Sequence, residues 1–255
     1  MDFPDIGLGP AAFAAALAIT LFAGFVKGVV GFAMPMVMIS AFSSFLPPET
    51  ALAGLILPTL ITNLSQTFRN GGRAAMAAMR RYWRFLTATV VFIGISAQFV
   101  RLIPQEVFLL MLGLPITGFA VVQLMGRSLS IHLDHRNRAE WALGVIGGLY
   151  GGVSGVWGPP LQVYLLSINA PKVEIIRVQG VVFLVGALVL TGAHLRSGVL
   201  NMQTMPFSAV LILPAMAGLW LGYAVQDRLD AARFRRWTLI VLVVVGGNLI
   251  RRALG

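Results

Sequence analysis

The sequence predicts an all-α polytopic membrane protein made of two inverted repeats of about five helical segments each, with broken or re-entrant helices at the repeat interface. Three observations predict it. The composition suits a chain solvated by lipid: 58% of residues are hydrophobic and 11% charged, whereas a soluble domain carries about a quarter charged residues. Apolar stretches of helical length recur from end to end, with no long polar segment between them that could form a soluble domain. The chain also contains one plan twice, about 124 residues apart.

The best-matched stretch of each copy is a Gly/Pro interruption inside an apolar segment. It reads Gly28-Val29-Val30-Gly31-Phe32-Ala33-Met34-Pro35 in the first copy and Gly152-Val153-Ser154-Gly155-Val156-Trp157-Gly158-Pro159 in the second. The same offset pairs Gly24 with Gly148, Pro47 with Pro171, Gly94 with Gly218 and Arg127 with Arg251. The chain divides accordingly into a first repeat, 1–125, a cytoplasmic inter-repeat loop, 126–138, and a second repeat, 139–255.

Each half reads as five apolar segments. They lie near residues 8–29, 32–46, 50–68, 84–103 and 105–125, then 139–155, 157–169, 173–194, 205–226 and 234–253. Residues 8–46 as one helix would span roughly 57 Å at about 1.5 Å per residue, twice the hydrocarbon thickness. The first two segments must therefore double back, as two crossings or as a re-entrant hairpin. Three further crossings follow, so each half makes an odd net number and the second half enters from the opposite face.

The charges test this topology. Of the 19 basic residues against 9 acids, Arg69, Arg73, Arg80, Arg81 and Arg84 fall in one connection without an acid, which marks it as cytoplasmic. The same scheme puts Arg127, Arg136, Arg138, Arg228, Arg233, Arg235 and Arg236 inside and leaves Arg101 and Arg196 outside, with Arg251 and Arg252 against the trend. Tyr82, Trp83, Trp141 and Trp237 flank the inside loops, as an interfacial aromatic belt requires. The basic balance is thus a topology signal facing anionic lipid, and no nucleic-acid partner is expected. The N-terminus, Met1-Asp2-Phe3-Pro4-Asp5, is acidic where a signal peptide is basic, so the first helix is expected to be retained. With no cysteine, thiolate metal sites and Cys nucleophiles are excluded.

Unpaired backbone groups in hydrocarbon cost several kcal/mol each, so interrupted helices at membrane depth persist where they are buried or line a wet cavity. Paired interruptions at matching positions of two halves point to the substrate site of a repeat-built transporter. Each break starts a half-helix with free N–H groups and about half a positive charge, which suits anionic oxygens. Prolines such as Pro35, Pro159 and Pro160 fit the first turn, where no donor is needed. The expected ligand is a small anion, held by Gly28, Gly31 and Pro35 from the first break and by Ser154, Gly155, Trp157 and Pro159 from the second. The competing reading takes the glycines as close helix-packing contacts.

Polar residues inside apolar spans are costly and mark pathways. Lys27, one residue before Gly28, would add a full positive charge at the break; the alternative is a side chain snorkelling to the interface. Asn63 and Gln66 share one helical face, which Arg69 continues, and Gln162 and Gln179 follow the second break. Each is expected at the substrate, or as a hydrogen bond between helices. Glu49 and Glu174 sit near the starts of equivalent helices, where capping accounts for them and proton coupling is the minor alternative.

The Gly-x-x-Gly-x-x-x-Pro element of each half, the Pro47 and Pro171 loops and the small bipartite chain resemble the TauE/SafE family, described as sulfite or organosulfur anion exporters. The resemblance covers essentially the whole chain. It implies a multi-pass inner-membrane carrier for sulfite, sulfoacetate or a related sulfur or carboxylate anion, with export as the expected direction. The second copy has Gly158 where the first has Met34, and Trp157 where the first has Phe32 or Ala33 nearby, so the two halves of the site need not be equivalent.

The reading is therefore a secondary carrier with alternating access, not an enzyme, with no cofactor and no metal. Its partners are the bilayer, a small anionic substrate and a coupling proton or other ion; a homodimer is left open. No Gly-x-x-x-x-Gly-Lys loop occurs, which excludes ATP as the direct energy source. Two rivals come from other classes. Gly152-Val153-Ser154-Gly155 with His194 resembles the dyad of a rhomboid intramembrane protease, against which His194 is expected at the outer surface and Ser154 near mid-membrane. The other rival is a membrane scaffold that transports nothing.

Overall fold

The computed structural model describes residues 8–69, 71–127, 135–225 and 231–255. The acidic N-terminal pentapeptide, most of the 126–138 loop and Arg228 lie outside the described residues. Everything described is helix, turn or irregular chain, with no strand.

The first half runs α1 (Pro10–Val30), α2 (Met34–Phe42), α3 (Pro48–Phe68), α4 (Gly72–Arg81), α5 (Trp83–Ser96), a 3₁₀ turn (Val100–Leu102) and α6 (Gln105–Leu124). The second runs α7 (Arg136–Ser154), α8 (Gly158–Ser167), α9 (Lys172–Ser197), α10 (Thr204–Val210), α11 (Ile212–Val225) and α12 (Ala231–Ala253). Among the described residues five stretches are long and apolar enough to cross a membrane: Pro10–Val29, Pro48–Phe68, Gln105–Leu124, Arg177–Ser197 and Thr204–Val225. The chain is a polytopic membrane protein.

Local sequence explains the boundaries. Prolines occupy the first turns of α1, α2, α3 and α8, where a missing N–H costs nothing. α1 and α7 end alike: Gly31 (φ 83°) and Gly155 (φ 72°) adopt the left-handed conformation, and each donates its N–H to the carbonyl four residues back, Lys27 or Gly151, at 2.8 Å. At about 1.5 Å per residue the half-helix α2 rises about 14 Å, less than half the hydrocarbon core. The doubling back expected of the first two segments is thus a long helix followed by a short one, in both halves.

Three boundaries differ from expectation. The arginine-rich connection contains a helix, α4, because Ala74, Ala75, Ala77 and Ala78 favour helix and the arginines can reach polar surroundings. The segment expected over 84–103 ends as a helix at Ser96 and continues as a 3₁₀ turn. The segment over 205–226 is divided between α10 and α11 at Leu211.

The most extensive helix pairs cross between halves: α1 against α11, α5 against α7, α6 against α12 and α3 against α9. Small residues permit this. A Cβ on Gly24 or Gly28 would run into the carbonyls of Ala215 or Leu219 on α11. On α7, a Cβ at Gly148 would meet the Thr89 carbonyl at 2.7 Å, and one at Gly152 the Ile93 carbonyl at 2.6 Å. Without a hydrophobic drive between helices in lipid, such close backbone approach supplies the dispersion energy of association.

Polar ties close the arginine-rich end. The Tyr82 hydroxyl donates to Glu174 (2.7 Å), which pairs with Arg81 (3.3 Å). Buried Glu140 accepts from the Phe85 N–H and the Tyr164 hydroxyl, both at 3.3 Å, with Arg84 at 3.8 Å. At the other end Glu49 pairs with Arg101 (3.4 Å). Glu49 and Glu174 both stand in helical first turns, where a carboxylate complements the dipole.

Candidate functional site: a cavity between the two helix breaks

The two breaks face one cavity. Its first wall is the break after α1 and the start of α2, through Phe32, Ala33, Pro35 and Met36. Its second is the break after α7, through Gly155, Val156, Trp157 and Gly158. Lys27, Thr59, Asn63 and Phe183 complete it from α1, α3 and α9. Neither α2 nor α8 has a side-chain cap, so the N–H groups of their first turns are not spent on one.

Lys27 is 2% exposed. Its Nζ donates to Thr62 Oγ1 (2.9 Å) and to Asn63 Oδ1. An ammonium carries three donors, so one remains. Among the described residues Lys27 makes no ion pair. A buried lysine held by two neutral oxygens beside a cavity is costly to keep charged unless a counter-charge enters.

Further unpaired polar atoms belong to the cavity wall. The Thr59 hydroxyl is buried without a hydrogen-bond partner, and so is the Trp157 indole N–H. Trp157 is seated across Gly186, where a Cβ would lie 2.7 Å from its ring, and meets Phe183 edge to face at 6.3 Å. Hydroxyl, indole N–H and ammonium are all donors, the set that an oxyanion accepts from.

The other expected site residues take different places. Asn63 lines the cavity, but its Oδ1 holds Lys27 and its Nδ2 donates to the Phe183 carbonyl (2.9 Å), so it positions the lysine and ties α3 to α9. Gln66 donates from Nε2 to the Gly31 carbonyl (3.0 Å), leaving its buried Oε1 unpaired; on Gln179 the buried Nε2 is unpaired. Gly31 lies beside both amides, a Cβ there being 4.0 Å from each. Gly28 packs on α11, as the helix-contact reading expected. Ser154, Pro159 and Gln162 sit on or beside the second break without lining the cavity. Thr59 was legible as the residue one turn before Asn63 on the same face; Phe183 carried no signal.

The protease reading finds no support. The Ser154 hydroxyl donates to the Tyr150 carbonyl (2.7 Å) and accepts from the Val156 N–H (3.1 Å), closing its own turn. His194 is fully buried rather than at the outer surface, with Nε2 on the Gly152 carbonyl (2.8 Å) and Nδ1 on Ser197 (3.1 Å). Because a carbonyl only accepts, Nε2 carries the proton, and the imidazole braces the second break. Among the described residues no three His, Asp or Glu side chains cluster as a metal site.

Comparison with curated proteins and with solved structures gives no match. A family model described as "Sulfite exporter TauE/SafE" matches residues 16–249, both halves and both breaks included. With the doubled Gly/Pro element and the membrane-spanning helices already in place, the chain belongs to the TauE/SafE sulfite exporter family.

Proposed function

We propose that this protein is a secondary carrier of a small sulfur oxyanion or sulfonate, sulfite or sulfoacetate in type, held at the cavity between the two breaks. It works as an exporter in the inner membrane, by alternating access, with the halves inverted and rocking about the site. A proton or other ion gradient drives it. Family membership supports the coarse activity, anion transport across a membrane. The observation that carries the finer reading is Lys27: a buried ammonium with one donor unspent and no counter-charge, facing a cavity between two uncapped half-helix starts. The exchanged pairing, α1 on α11 and α7 on α5, supports a two-fold relation between the halves, which an inverted repeat requires.

The test is thermal stability of the purified protein against sulfite, sulfoacetate, thiosulfate, sulfate and small carboxylates, with chloride as control. A ligand at 100 times its dissociation constant stabilises a two-state protein by about 2.7 kcal/mol. Selective stabilisation by one sulfur anion, absent in Lys27→Met, names the substrate class. An equal response to every anion, or none, overturns the reading.

A further inference from the structure

A second, smaller cavity lies toward the arginine-rich end and is lined by Gln66, Thr67, Gly71, Arg177 and Gly180 among others. Among the described residues, Arg177 is the only charged group in its lining. The Arg177 Nε is buried with no hydrogen-bond partner, and among the described residues Arg177 makes no ion pair. Here too, among the described residues, a basic side chain lines a cavity without an acid paired to it.

The two cavities are neighbours on the same pair of helices. Gln66 lines the second cavity, while Asn63, one turn earlier on α3, lines the first. On α9 Arg177 stands six residues before Phe183, about 9 Å along the helix at about 1.5 Å per residue. Between them, beside Gly31, lie the Gln66 and Gln179 amides with their unpaired Oε1 and Nε2 atoms. The rest of the described lining is the Thr67 hydroxyl, the Gln66 amide, two glycines and the apolar Ala74, Ala75 and Val181, with no carboxylate among them to repel an anion.

The cations differ in chemistry. Guanidinium offers a planar fork matched to two oxygens of one oxyanion and is weakly hydrated, whereas an ammonium is a point charge. We propose that Arg177 forms a second anion station at the arginine-rich mouth, which takes the sulfite or sulfonate group from that side before it passes Gln66 and Gln179 to Lys27. This rests on the transport reading above.

Initial rates of radiolabelled sulfite movement in vesicles sorted by orientation test it, with the wild type, Arg177→Gln, Arg177→Lys and Lys27→Gln compared. Loss of a charge-assisted contact predicts that Arg177→Gln raises KM for sulfite presented at the arginine-rich face by about tenfold, with KM from the opposite face within about twofold. Arg177→Lys should fall between. Unchanged KM at both faces, or an equal rise at both, overturns the station. Should Arg177→Gln not fold, peptide-resolved phenylglyoxal labelling of the wild type decides: sulfite should slow modification of Arg177, and unslowed modification overturns the proposal. A wild type that moves no sulfite sinks the transport reading itself; a transporting wild type with Lys27→Gln impaired and Arg177→Gln normal sinks this inference alone.

Discussion

The two helix breaks share a backbone and differ in what they carry. Gly31 and Gly155 occupy the same left-handed conformation and make the same 2.8 Å bond to the carbonyl four residues back. The residue giving that carbonyl is Lys27 in the first copy and Gly151 in the second. The residue that starts the half-helix is Ala33, held at φ 76°, in the first, and Trp157, in ordinary negative φ, in the second. The repeated glycines and prolines set the geometry of the site, and the unrepeated side chains set its chemistry. One break brings the lysine and the other an aromatic wall with a neutral donor.

The largest effect that could break the comparison is steric. Gly28 and Gly152 face backbone across a helix contact, Gly152 with the Ser96 hydroxyl closer still, so moving a side chain cannot by itself relieve the clash. Gly28→Ala and Gly152→Ala should each destabilise the protein by about 3 kcal/mol, the upper part of the range for overpacking. Denaturation in detergent would measure it, and a large cost in one copy only would show that the shared backbone is not equally supported. Next comes the charge. Lys27→Met should abolish the roughly 2.7 kcal/mol of stabilisation by saturating anion while leaving the ligand-free protein as stable or more so, because a lone buried charge is removed. Retained stabilisation would remove Lys27 from the site.

Trp157→Phe sharpens the other side. It keeps the apolar wall on Gly186 and Phe183 and deletes an indole N–H that the ligand-free protein leaves unpaired. Anion affinity should fall about tenfold, as expected for one hydrogen bond to a charged acceptor, with little change in folding. Unchanged affinity in titration calorimetry would reduce Trp157 to packing.

How legible this was follows from the same division. The breaks were visible because glycine and proline encode backbone conformation directly, and their repetition removed chance. The arginines of α4 lower its hydropathy and hide it among loops, although its alanines favour helix. The outer position expected of His194 fails because Arg196, two residues on, points to nearly the opposite side of the helix, and the histidine turns inward to the Gly152 carbonyl. Phe183 and Arg177 meet their cavities only through the packing of α9 on α3, a relation between halves that no local pattern records.

The smallest effect concerns Ala33 itself. A left-handed alanine costs about 1 kcal/mol relative to glycine, and it sits in the cavity wall at the start of α2. Ala33→Gly should therefore raise thermal stability by about that amount, while Gly155→Ala should lower it by more, since the added Cβ would meet Leu55 at 2.6 Å besides adopting positive φ. Backbone strain kept beside a binding site is a means of fixing its geometry. If Ala33→Gly gains stability but loses anion affinity, the alanine stiffens the first break in a way that Trp157, wedged on Gly186, stiffens the second. If affinity is unchanged, the stiffness resides in the packing of Gly28 on α11, and the two breaks are held alike.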